Sequence, residues 1–404
     1  MTGGTSNKKI MIDLDYIAQD TSFIYPLYSE EGKLLLKERE VLSAARIKSI
    51  REKYGPRLYY NVPENGENGI SPGAYRKAFN DTKKIMDNVL VTGKFSPDAY
   101  KKSEEIISEI LEDLNKNEKN ALRLLREMHS FDEYLYRHAI NVGLLTAFLT
   151  KKERIYGEKE LKSVIIGAYL SDVGKIKMEK EILIKPGKLS REEEIQMKLH
   201  PQLGYNILKV LENADPVVLQ TILFHHERYD DEGYYNLPYD TLPSSPKIVS
   251  ICDMYDALTS PRPFRQAYTP AEAMKIITNT IDKKYDRQLV KDFINMAGKI
   301  LNNSQNFFRR GDFCMLNTGE IAIITDFGRW DVLSPKVIVF ARYENSPGKS
   351  SIKFFNTPLE IDLEKDLNRK LDGIIVHDNL ILAIKTKLKE KKMLLEYLYS
   401  SIDE

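Results

Sequence analysis

The sequence predicts a multidomain protein, with an all-helical centre, a small α/β unit before it and a small β-rich module behind it. Three observations carry this reading. From about 127 to 303, apolar residues recur at helical spacing behind helix-start signals such as Ser190 with Glu193 and Asp215-Pro216. Residues 10 to 62 mix short β-tolerant runs with one helical stretch. Beyond 304, Phe313 to Leu316 and Ile321 to Ile324 flank Asn317-Thr318-Gly319, a hairpin signal. A chain of 404 residues has room for two to four domains.

The first unit spans 1–72 with its linker. Ile10 to Ile17 is apolar and β-tolerant. Tyr25 to Tyr28 and Lys33 to Leu36 flank a turn ending at Gly32, Leu42 to Tyr54 has helical spacing, and Leu58 to Tyr60 is a closing strand. Residues 63 to 72, rich in Asn, Gly, Glu and Pro, form the linker. Residues 73–126 form a helical connector with two apolar stripes. One is Phe79, Ile85, Met86 and Val89; the other is Ile106, Ile107, Ile110, Leu111 and Leu114.

The central domain is expected over 127–303. Ser130 with Glu133 makes a capping box before a helix that carries Tyr134, His138, Asn141, Val142, Leu145 and Phe148 on one face. A second helix runs from Leu161 to Leu170 and stops at Ser171-Asp172. The helix opened by Ser190 is expected to deliver His200, the one opened by Asp215 to reach His225 and His226, and the one from Lys247 to Leu258 to carry Asp253 and Asp256. The last unit, 304–404, adds a strand at Val337 to Tyr343 and a charged helix near Leu380 to Tyr399. His377 stands alone there and has a surface or structural role.

Composition narrows the function classes. Lys and Arg number 60 and Asp and Glu 59, so no broad basic field exists for nucleic acid, while a small anion held by a few local cations stays open. The two cysteines, Cys252 and Cys314, imply no disulfide framework and a reducing compartment. Met1 to Lys9 has no apolar core of a signal peptide, and no run of about 18 apolar residues is present. A cytoplasmic protein without a membrane segment is the expectation.

The chemistry concentrates in Phe224 to Tyr235, which holds two of the six histidines, His225 and His226, followed at once by Glu227 and Arg228. His138 and His200 lie upstream, and Asp253 lies inside an apolar helix downstream. Neutral imidazole with carboxylate is the donor set of a borderline or hard transition metal. Each residue alone has an ordinary alternative: His138 a hydrogen-bonded core residue, Asp172 a polar helix end, Arg262 and Arg265 a solvated loop. Asp253 is more telling, because a carboxylate in a core is costly unless paired or metal-bound.

Order and spacing join these signals. Asp132-Glu133-Tyr134 with His138, Ser171-Asp172-Val173-Gly174-Lys175, Ile182 to Leu189, His200-Pro201 with Gly204, His225-His226-Glu227-Arg228 and Asp253 to Ser260 resemble, in order, the HD-GYP family. That family is a branch of the HD-domain metal-dependent phosphohydrolases. The resemblance covers about 127 to 270; residues 10 to 62 and 310 to 345 are more loosely similar to modules that accompany it. It implies an all-α HD-type domain that holds iron or manganese and hydrolyses cyclic di-GMP to pGpG or GMP. Carried over by position, His138, Asp172, His200, His225, His226 and Asp253 are the metal ligands, with Asp172 bridging two ions. Lys175 contacts phosphate beside Asp172, and Arg262 and Arg265 hold the dinucleotide. The loop after the paired histidines is where the family meets diguanylate cyclase (GGDEF) domains, and a homodimer is one state the resemblance allows.

The chain departs from the pattern in four places. Ser171 stands where the family has the histidine of its His-Asp pair, so one ion keeps His138, Asp172 and Asp253 and loses an imidazole. Tyr235 replaces the proline of Gly-Tyr-Pro, which removes a fixed φ and predicts a softer or differently placed loop. Asp231 stands where glycine is expected. Tyr134 replaces a glutamate that some members use for a third ion. One or two divalent ions are therefore expected. The function read from this is a cyclic di-GMP phosphodiesterase with a weakened metal pair; the alternative is a catalytically degenerate receptor or interaction scaffold.

Overall fold

The structure is a computed structural model and describes residues 7–13, 21–22, 26–37, 40–55, 57–63, 72–116, 134–153, 156–183, 185, 187–212, 214–260, 267–300, 307–327, 331–346 and 349–394. The first unit holds β1 (Asn7–Asp13), β2 (Thr21–Ser22), β3 (Leu27–Tyr28), β4 (Leu34–Leu36), β5 (Val41–Leu42), α1 (Ala44–Tyr54) and β6 (Arg57–Pro63). Four strands make an antiparallel sheet in the order β1-β6-β3-β4, and β2 pairs with β5. The β3–β4 turn passes through Gly32 at φ 86°, a conformation that costs glycine little. Ser43 caps α1 by accepting from the Arg46 N–H.

The helices follow as α2 (Pro72–Thr92), α3 (Pro97–Lys116), α4 (Tyr134–Glu153), α5 (Glu158–Tyr169), α6 (Lys180–Leu183), α7 (Arg191–Met197), α8 (His200–Leu208), α9 (Pro216–Phe224), α10 (Ser244–Thr259), α11 (Pro270–Thr278) and α12 (Arg287–Ile300). One apolar core joins all of them except α6 and α7. The stripes of α2 and α3, including Phe79, Met86, Val89, Ile106 and Ile110, enter it beside Ile140, Leu144 and Leu145 of α4. The Ser190–Glu193 capping box is present, but its helix ends at Met197. A new helix begins at His200, with Pro201 in its first turn, where the missing N–H has no partner to lose. His200 therefore opens a helix and does not close one. The box expected at Ser130 and Glu133 lies outside the described residues.

The last unit is an antiparallel sheet of β7 (Phe313–Leu316), β8 (Glu320–Asp326), β9 (Lys336–Ser346), β10 (Lys349–Asp362) and β11 (Leu371–Ile374), ordered β10-β9-β8-β7-β11, with α13 (Asp378–Glu390) behind it. Strand alternation divides its side chains. Cys314, Ala322, Ile324 and Val339 join the helical core, while Phe313, Ile321, Ile323 and Phe340 pack with Ile384 and Leu388 of α13. Asn279, just past α11, acts as a strand partner for β11: its Oδ1 accepts from the Ile374 N–H at 2.6 Å, and its Nδ2 donates to the Ile374 carbonyl at 2.9 Å. Among the described residues, no helix is long and apolar enough to cross a membrane.

Candidate metal centre

Five helices deliver acids and imidazoles to one buried point. His138 lies in the second turn of α4, Asp253 lies on α10, and His200 opens α8. His225 caps the C-terminus of α9, with His226 next in the chain. Asp172 follows α5 and leads into a 3-10 turn, Val173–Lys177. Gly174 is what seats that turn against α8. A Cβ there would lie 1.9 Å from the His200 carbonyl oxygen and 2.5 Å from the Gly204 nitrogen. Only a bare backbone brings Asp172 this close to His200.

The donors fall into two groups that share Asp172. One is Asp172, His200, His225 and His226; the other is His138, Asp172 and Asp253. In the first, His200 Nε2 lies 3.2 Å from Asp172 Oδ1, 3.4 Å from His225 Nε2 and 3.2 Å from His226 Nε2. In the second, His138 Nε2 lies 3.2 Å from Asp172 Oδ2 and 2.8 Å from Asp253 Oδ1. The approach is close but poorly directed: Asp172 Oδ1 and His138 Nε2 are buried and carry no hydrogen bond of acceptable geometry. Orphaned buried polar atoms are costly, and a cation between them would satisfy both. The far ring nitrogens fit the same purpose. Nδ1 of His200 is 2.8 Å from the Met197 carbonyl and Nδ1 of His225 is 2.8 Å from that of Ile222. Donation there leaves each Nε2 lone pair facing the centre. The cluster therefore fits a bound metal ion.

Charge divides the centre. Burial, with His200 adding to it, pushes the His225 imidazole down to about 4. Burial and then His225 hold His226 well below its ordinary value. Both stay neutral near pH 7, as ligands must. His138 is held well above its ordinary value: burial opposes this, and Tyr134 with Asp172, Asp253 and Asp256 outweighs it. Asp172 is held well below the carboxylate range, burial being outweighed by Lys175 and by His138 and His200. The acidic half thus calls for positive charge, which a proton or a metal ion can supply.

Lys175 pairs its ammonium with Asp172 Oδ2. Arg262 and Arg265 lie outside the described residues. Ser171 is buried, and its hydroxyl donates to the Ala168 carbonyl at 2.8 Å, which commits its proton to the helix. Three site residues escaped the sequence reading of roles. Asp256 Oδ2 lies 2.7 Å from His138 Nδ1, and Asn141 Nδ2 donates to Asp256 Oδ1 at 2.7 Å. The signal was there in spacing: Asp256 is one turn from Asp253, and Asn141 one turn from His138. Glu227 is the third. Its buried carboxylate accepts from the Tyr235 N–H at 2.7 Å and the Leu237 N–H at 2.9 Å, tying the loop back to the paired histidines. Tyr234 from that loop stacks on His226 with centroids 4.4 Å apart.

The loop is thus held by a bond that proline could not make. Tyr235→Pro gains roughly 0.4–1 kcal/mol from a stiffer unfolded chain. It forfeits a charge-assisted bond worth about 1.5–3 kcal/mol. The expected outcome is a lower melting temperature, measured by calorimetry; an unchanged or higher one contradicts this anchoring.

Residues 106–289 match the family model described as HD domain. Over 222 residues the chain is 28% identical to a cyclic di-GMP phosphodiesterase of Pseudomonas aeruginosa, covering 55% of this chain and 51% of that one. It is 35% identical over 159 residues to a cyclic di-GMP phosphodiesterase response regulator of Xanthomonas campestris, covering 37% and 42%. A cyclic di-GMP phosphodiesterase of Thermotoga maritima is 30% identical over 230 residues, covering 56% and 58%. The chain spans about half the length of these relatives.

Proposed function

The central domain belongs to the HD-GYP branch of the HD-domain family, and on that premise we propose that the chain is a metal-dependent phosphodiesterase that hydrolyses cyclic di-GMP to pGpG or GMP. One observation carries the proposal: a single buried carboxylate, Asp172, is shared by two sets of donors and has an oxygen with no hydrogen bond. His138, Asp172 and Asp253 would hold one ion, and Asp172, His200, His225 and His226 the other, iron or manganese suiting the mixed nitrogen and oxygen set. Bound ions would acidify a water and neutralise charge on the phosphoryl oxygens.

The side chains supply the rest. Burial keeps His225 and His226 neutral, and the carbonyls of Met197 and Ile222 fix the rings of His200 and His225. Lys175, paired with Asp172, would offset charge that develops on a substrate phosphate in the transition state. Arg262 and Arg265 would hold the second phosphate as planar, bidentate cations.

Ser171 supports a second reading, a receptor that binds the dinucleotide without cleaving it, because its hydroxyl is turned to Ala168 and adds no imidazole. The two readings separate by assaying cyclic di-GMP hydrolysis with added Mn(II) or Fe(II), wild type beside Ser171→His. Turnover by the wild type, raised in the variant, is expected. Binding by both proteins with turnover by neither leaves the receptor.

A further inference from the structure

A directed chain of buried hydrogen bonds leads away from the centre to α2. The Tyr75 hydroxyl donates to Asn141 Oδ1 at 2.9 Å. Asn141 Nδ2 donates to Asp256 Oδ1 at 2.7 Å, and Asp256 Oδ2 faces His138 Nδ1 at 2.7 Å. All four residues are buried, so water cannot replace any member. The direction is forced. A carboxylate accepts and does not donate, so Asn141 must turn its amide nitrogen to Asp256 and its oxygen to Tyr75, and His138 must carry its proton on Nδ1. With Nδ1 holding its own proton, Nε2, the atom facing Asp172 and Asp253, is the nitrogen that can give its lone pair once an ion takes the place of a proton there. The Tyr134 hydroxyl, 3.1 Å from the same Nδ1, stands farther off than Asp256. Tyr75 lies in the first turn of α2, outside residues 106–289 that match the HD domain.

We propose that Tyr75, Asn141 and Asp256 are positioning residues that fix the tautomer and ring angle of His138, so that the seating of α2 sets the metal affinity of the His138–Asp172–Asp253 position. The proposal rests on the metal reading above. Outer partners of a ligating histidine commonly govern affinity by about 10- to 100-fold.

The test is a Mn(II) titration of the full chain, with unbound ion followed by electron paramagnetic resonance, for wild type, Asp256→Asn and Tyr75→Phe. Wild type is expected to bind two ions. Asp256→Asn is expected to weaken one of them by about 10- to 100-fold and leave the other unchanged. Tyr75→Phe is expected to weaken the same ion by roughly tenfold or less, as removal of one buried hydrogen bond implies. A merely structural role would lower the melting temperature of the metal-free protein without splitting the two affinities. The proposal is overturned if both variants bind two ions as tightly as wild type, if both ions weaken equally, or if wild type binds one ion only. Should wild type bind none, the metal reading itself fails. Tyr75→Phe keeps the ring and decides the matter if Asp256→Asn does not fold.

Discussion

Asp172→Asn is expected to release both ions and to lower turnover by at least about 1000-fold, or roughly 4 kcal/mol of transition-state stabilisation. The size follows from sharing. His226 belongs to one group of donors, whereas Asp172 belongs to both. Asparagine keeps the shape but removes the charge that draws Lys175, His138 and His200 inward. His226→Ala should lose metal from one position only. Metal content and initial rates, measured together, check this; two ions retained in Asp172→Asn would show that the carboxylate is not the bridge.

Gly174→Ala is the largest structural effect expected. Its new methyl would meet the His200 carbonyl at 1.9 Å and the Gly204 nitrogen at 2.5 Å, both backbone atoms that cannot rotate away. The 3-10 turn or α8 must move, which separates Asp172 from His200. Overpacking of this kind costs about 3 kcal/mol or more. At ~2–4 °C per kcal/mol for a domain of this size, a melting temperature lower by roughly 10 °C is expected. Gly204→Ala is the contrast: its methyl meets the Ile222 side chain first, at 3.0 Å, and that side chain can give way. Equal melting temperatures for Gly174→Ala and wild type would mean the close approach does not hold the turn.

The donor positions could be read from the sequence because each lies at a helix start, a helix end or an apolar helix face, where local pattern fixes direction. The partners of those donors could not. Asp256 and Asn141 each sit one turn from a donor, but their meeting depends on α10 packing on α4, and Tyr75 joins them because α2 packs on α4. The anchoring of Tyr235 was not readable for a related reason: loss of a fixed φ is local, while the bond from its N–H to Glu227 spans eight residues. In the last unit, β7 to β9 were readable from alternation and the Gly319 turn. β10 was not, because Pro358 falls inside it and argues against a strand; it is tolerated at a register shift between Phe354 and Leu359 on a sheet edge.

The most direct measurement is a crystal of the full chain grown with Mn(II), with diffraction collected for anomalous signal. The expected result is two peaks, one among Asp172, His200, His225 and His226 and one among His138, Asp172 and Asp253. A metal-loaded, active crystal with its peaks elsewhere, or with Lys175 still closing on Asp172 and no peak beside it, would contradict a metal centre built on that carboxylate.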